Sequence, residues 1–161
     1  MADDNFTLTT FYTAWKEYQE RMRNAIAPLT TEQLTLRAAP HLRTVGENVA
    51  HIIGCRAGWF SHFLGETATA DVKATADWDE PDHSAAELAG GLDQTWQFMR
   101  DCIARWSDAD MQQTFPDDWD GKIVQLSRAW VVWHVLEHDL AHGGEVSLTL
   151  GIHDLQNGFT S

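Results

Sequence analysis

Cysteine, proline and positive charge are all scarce in this chain. Two residues of 161 are Cys and four are Pro, and no Pro-rich or Gly/Ser-rich linker interrupts the sequence. Without such a boundary the chain reads as a single domain over residues 1–161. Internal repeats of solenoid length are missing as well. Cys55 and Cys102 fall on segments that read as different helices, which excludes a disulfide framework and a CxxC metal or redox motif. Both read as small core residues.

Lys and Arg number 11 against 24 Asp and Glu, a formal charge of −13. An acidic surface of that size repels phosphate backbones and anionic lipid headgroups, so neither nucleic acid nor a membrane is an expected partner. No apolar run approaches the roughly 20 residues needed to span a bilayer. The opening MADDNFTLTTFY has neither a basic n-region nor an apolar h-region, so the expected location is the cytoplasm and the expected partner a small-molecule substrate.

Against these absences stands a 43% hydrophobic content, sufficient for a real core, arranged mostly at helical spacing. Phe11, Trp15, Tyr18, Met22 and Ile26 step by three and four over a first helix of roughly 6–28, ending near Pro28. Thr30 with Gln33 can start a short helical stub. Thr44 with Glu47 forms a capping-box pattern ahead of a second helix to about 64, with Val45, Val49, Ile52, Trp59 and Phe63 as its core stripe. Residues 65–82, including Pro81, read as a long crossover loop that can hold one helical turn.

Ser84 with Glu87 opens a third helix, with Leu88, Leu92, Trp96, Met99, Ile103 and Trp106 on its apolar face and Gly90-Gly91 weakening its start. A polar loop containing Pro116-Asp117-Asp118 follows. The fourth helix runs from about 126 to 150, and its AWVVWHVL stretch, apolar nearly all round, makes it the most buried. The fold class that results is all-α, a four-helix bundle with long crossover loops and negligible strand. The tryptophans, among them Trp15, Trp59, Trp96, Trp130 and Trp133, are expected in the core, with one or two lining a pocket.

His134, His138 and His142 recur every four residues on that apolar fourth helix, which stacks neighbouring imidazoles on nearly one face. A buried imidazole without a partner is costly. Either a shared metal ion or hydrogen bonds to Glu, Asp or backbone would satisfy them. His51 is the other histidine inside an apolar helical stretch, with Glu47 one turn before it and Cys55 one turn after. His41, His62, His83 and His153 fall in loops, a helix end or the tail and are expected to face solvent. A ferritin-like di-iron site requires a pair of Glu-x-x-His motifs and two more carboxylates on inward helical faces, and that pattern is missing.

Two segments resemble a known family. LTLRAAPHLRTVGENVAHI, ending in His51, and HVLEHDLAHGGEV, which carries His138, His142, Gly144 and Glu145 in the form H-x3-H-x-G-[QE], are similar to those of the DinB-like (DinB/YfiT-like) superfamily of metal-binding four-helix bundles. That superfamily includes thiol-dependent transferases and maleylpyruvate isomerases.

The resemblance implies one divalent metal ion on His51, His138 and His142, with His134 in a supporting or core role. It also implies homodimerisation through helical faces. Gly143 departs from the many relatives that carry arginine there. Three neutral imidazoles leave coordination positions open for water or substrate, as in catalytic sites. Imidazole does not select among zinc, nickel, iron and copper; zinc or nickel is the first expectation and iron the next.

Glu145 lies three residues beyond His142 and seven beyond His138 on the same face. It is the candidate catalytic carboxylate, the alternative being a solvated side chain near the helix end. Glu47 is a candidate for orienting His51, with Glu137 and Asp139 weaker ones. The expected activity is a metal-dependent hydrolase or transferase, and a low-molecular-weight thiol cofactor is what the resemblance adds. The alternative is a non-catalytic binding or stress-associated interaction bundle with a structural metal or none.

Overall fold

A computed structural model describes residues 4–78 and 83–155. Its long elements are α1 (Asp4–Ile26), α3 (Val45–Ala57), α5 (Ala85–Arg105) and α7 (Arg128–Ile152). Short helices α2 (Thr31–Leu34), α4 (Ala70–Thr75) and α6 (Asp108–Gln112) lie in the connections, and α3 runs on into a wide π-helical turn, Gly58–Phe63.

The starts of these helices follow the sequence signals closely. At Thr30, Thr44 and Ser84 the cap oxygen accepts the N–H three residues on, while Gln33, Glu47 and Glu87 reach back to the cap N–H. Glu47 is thereby committed to capping: its carboxylate accepts the Thr44 N–H at 2.6 Å, which holds its pKa below the ordinary carboxylate value. The crossover loop holds its one helical turn as α4, while Pro81 lies outside the described residues.

Two apolar clusters fix the directions of the helices. One gathers Met22 and Ile26 from α1, Val45 to Ile53 from α3, Leu88 and Leu92 from α5, and Val146 and Leu150 from α7. The other gathers Trp15, Phe60, Met99, Val131 and Val135 from the opposite ends. Thus α1 and α7 run one way and α3 and α5 the other, and the parallel α3–α5 pair requires the crossover that carries α4.

A single polar layer of Gln19, Arg56, Thr95 and Asp139, one residue per long helix and all buried, separates the clusters. Arg56 donates to Asp139 and to Gln19, and the Trp15 indole N–H donates to Asp139 at 2.8 Å. Neither Arg56 nor Asp139 is exposed at all, so the pair holds together only because the hydrogen bonds around it replace its lost water.

Besides the burial of α7, which is not the most buried helix because seven of its 25 residues are buried against nine of 13 in α3, three expectations are corrected. The segment around Pro116-Asp117-Asp118 is a strand: β1 (Thr114–Trp119) pairs antiparallel with β2 (Lys122–Ser127). The two-residue turn is Asp120-Gly121, with φ of 53° and 80°, as a type I′ turn demands. The Asp-Gly signal was present, but the polar residues beside it mask the alternation. Arg128 anchors this hairpin to the bundle, its guanidinium against the Trp106 and Phe115 rings and bonded to Glu66.

Second, Trp133 lies on the outer face of α7 and is 57% exposed rather than in the core. A helix that is apolar all round gives periodicity no means of choosing its inner face. Third, His83 does not face solvent freely: it is half-buried and stacked on Trp78 with ring centroids 4.0 Å apart.

Candidate metal centre

The packing of α3 against α7 brings His51, His138 and His142 together, with one ring nitrogen of each within 4.8 Å of the others. Ring centroids lie 4.6 Å apart for His51–His138, 4.9 Å for His51–His142 and 4.4 Å for His138–His142. The Nε2 atoms of His51 and His138 face each other at 3.0 Å. With metal–nitrogen bonds of about 2.0–2.1 Å, two imidazoles on one ion hold their nitrogens about 3 Å apart, so the observed pair fits a shared cation.

Each α7 histidine has a defined surrounding. The Nδ1 of His142 bonds Glu145 Oε2 at 3.0 Å; a neutral His142 that donates there keeps its Nε2 lone pair free for a metal. His138 has a buried Nδ1 with no hydrogen-bond partner among the described residues, so this ring is held through Nε2. Burial, reinforced by the neighbouring imidazoles, lowers the His138 pKa to about 3, which keeps it a neutral donor. His134 stands one turn away, stacked on Trp130 at 5.0 Å and edge-on to Trp59.

His51 also forms part of the wall of a cavity of about 620 Å³. Along α3 and its π-helical extension the stripe His51, Cys55, Gly58, Trp59, His62 and Phe63 faces this space, and Trp78 and Asp117 close it from the crossover and the hairpin. The π-helical turn widens the helix at this point, a distortion that recurs at functional sites. Cys55 is thus a cavity residue rather than a core one. Burial pushes its thiol up to about 12, so it is protonated at neutral pH and is not a ready nucleophile.

All three histidines expected as ligands converge, and Glu145 is in contact with one of them. Glu47 is held by its helix cap. Sequence reasoning missed Arg56, Trp78 and Asp117. An arginine within the apolar run from Val45 to Phe60 was the available sign of a buried counter-charge; Trp78 and Asp117 reach the cavity only through tertiary folding. Gly143 is a contact point: a Cβ there would lie 2.1 Å from the Tyr18 hydroxyl.

Helices crossing in this order around three clustered imidazoles define a four-helix bundle with a candidate metal centre between α3 and α7. The chain belongs to the DinB superfamily, whose family profile matches residues 14–146. Its fold is similar to that of a DinB-like protein from Bacillus cereus ATCC 10987, with a TM-score of 0.69 and 18% identity, over 91% of this chain and 93% of that one. It is also similar to a conserved protein from Enterococcus faecalis, with a TM-score of 0.55 and 12% identity, over 84% and 89% of the two chains. No functionally curated protein matches the chain. No helix among the described residues is long and apolar enough to cross a membrane.

Proposed function

We propose that this chain binds one divalent metal ion, zinc or nickel before iron, on His51, His138 and His142, and uses it to transform a small molecule held in the adjoining cavity. The observation that carries this reading is the double membership of His51, which belongs both to the imidazole cluster and to the cavity wall. A divalent ion there supplies Lewis acidity to water or to a small thiol. The reaction class is hydrolysis or group transfer.

The protein's own residues have separate tasks. His51, His138 and His142 provide the neutral nitrogens. Glu145 fixes the His142 tautomer through Oε2, and its exposed side chain has a second carboxylate oxygen with which to take a proton from the incoming nucleophile. Because the Cys55 thiol is held protonated, a thiol-dependent reaction would use an added thiol rather than this one. Two unbridged cysteines suit a reducing cytoplasm. Exposed Phe11, Trp133, Leu140 and Leu148 support pairing of two copies, which sedimentation equilibrium reads directly.

The test is turnover by protein stripped with EDTA and reloaded with Zn²⁺ or Ni²⁺, on an aryl ester and on thiol transfer from free cysteine to a chlorodinitrobenzene. The reading expects turnover that needs metal, disappears in His138→Ala and drops in Glu145→Gln. Stoichiometric metal without turnover on either substrate leaves the non-catalytic binding bundle instead.

A further inference from the structure

A second cavity, of about 410 Å³, lies between α1 and α5. Tyr12 and Lys16 on α1, and Trp96, Arg100 and Ala104 on α5, recur every four residues, which puts each set on one face of its helix. No residue of α3 or α7 lines this cavity, so it is separate from the imidazole cluster. None of the exposed apolar residues offered above for pairing lines it either.

The polar groups here are chiefly donors. Lys16 and Arg100 are the charged residues among those lining the cavity, with no Asp or Glu. The Tyr12 hydroxyl and the Trp96 indole N–H have no hydrogen-bond partner among the described residues, and both atoms are open to water. Lys16 Nζ lies 3.5 Å from Glu20 and Arg100 Nη2 3.4 Å from Asp101, with all four side chains more than half exposed. Exposed pairs of this kind are weak, and the ammonium and guanidinium keep further N–H groups to donate. The remaining wall is apolar. Trp96 is fixed edge to face on buried Trp15, with ring centroids 5.2 Å apart, and Ile103 and Ala104 add aliphatic surface.

We propose that this cavity is a second ligand site, one that takes an aryl carboxylate. The carboxylate sits between Lys16 and Arg100, and the ring packs on Trp96 and Tyr12. The chain as a whole carries a formal charge of −13 and repels such a ligand, so a preference for the acid has to come from cations at the site itself. The proposal does not rest on the metal reading.

The experiment titrates 2-naphthoate, 2-naphthalenemethanol and 2-naphthylmethylamine by calorimetry into Zn²⁺-loaded and into EDTA-stripped protein, with zinc uptake measured separately. The acid should bind both forms about tenfold or more tighter than the amine. Lys16→Gln with Arg100→Gln should weaken the acid about tenfold or more and leave the alcohol nearly unchanged. Lys73→Gln with Lys122→Gln removes the same charge from exposed positions elsewhere and should leave acid binding as it was. All four positions are exposed, so both variants should melt with wild type.

An amine that binds as tightly as the acid overturns the proposal. So does acid binding unmoved by the Lys16, Arg100 variant, an equal loss in the Lys73, Lys122 variant, or no binding by the acid. Acid binding that appears only with zinc present places the carboxylate on the metal and defeats this site while supporting the metal reading. Acid binding with the expected pattern in protein that takes up no zinc does the opposite.

Discussion

Arg56 meets Asp139 across the α3–α7 interface with neither side chain exposed, Nη2 to Oδ2 at 2.7 Å and Nε to Oδ1 at 2.9 Å. Asp139 is the residue after His138, so the pair sets the register in which His51 on α3 meets His138 and His142 on α7. Removing one partner leaves a bare buried charge.

Asp139→Ala should therefore cost about 3–5 kcal/mol in urea unfolding. Replacing both residues, Arg56→Met with Asp139→Leu, should cost less than Asp139→Ala alone, since no unpaired ion remains. Some loss will persist because the Trp15 N–H also forfeits its acceptor. Strictly additive losses in the double-mutant cycle would show that the pair is not coupled.

Gly143 is required by the approach of α1 to α7. Gly143→Ala places a methyl 2.1 Å from the Tyr18 hydroxyl oxygen and 3.0 Å from Cζ. Overpacking of this kind costs about 1–3 kcal/mol. Adding Tyr18→Phe removes the nearest atom and should recover part of the lost melting temperature. A Gly143→Ala protein that melts with wild type would mean that the helices separate freely here.

The pH dependence of the metal-free protein follows from His138. Its folded pKa, about 3, lies below the ordinary value of 6.5, so the unfolded chain takes up a proton that the folded chain refuses. The contribution of this group is complete above about pH 6.5 and is lost progressively as pH falls toward 3. His138→Gln should flatten the slope of unfolding free energy against pH in that window. An unchanged slope would place the acid sensitivity elsewhere.

Much of this was legible in the sequence, for identifiable reasons. Helix starts were readable because the capping boxes at Thr44 and Ser84 are local chemistry, fixed within four residues. His138 and His142 were readable because i,i+4 spacing survives any tertiary arrangement, and His51 because the motif that ends on it resembles the family's. The hairpin escaped because Asp117 and Asp118 break its apolar alternation. The outward turn of Trp133 and the cavity's closure by Trp78 and Asp117 escaped because they depend on which face of an all-apolar helix packs and on contacts distant in sequence.

The most direct measurement is metal content by elemental analysis on protein purified without an affinity tag, comparing wild type with the His138→Ala, His142→Ala double variant. The account predicts about one divalent ion per wild-type chain and none in the variant. Wild type that carries no metal and takes up none on titration with zinc or nickel would contradict it.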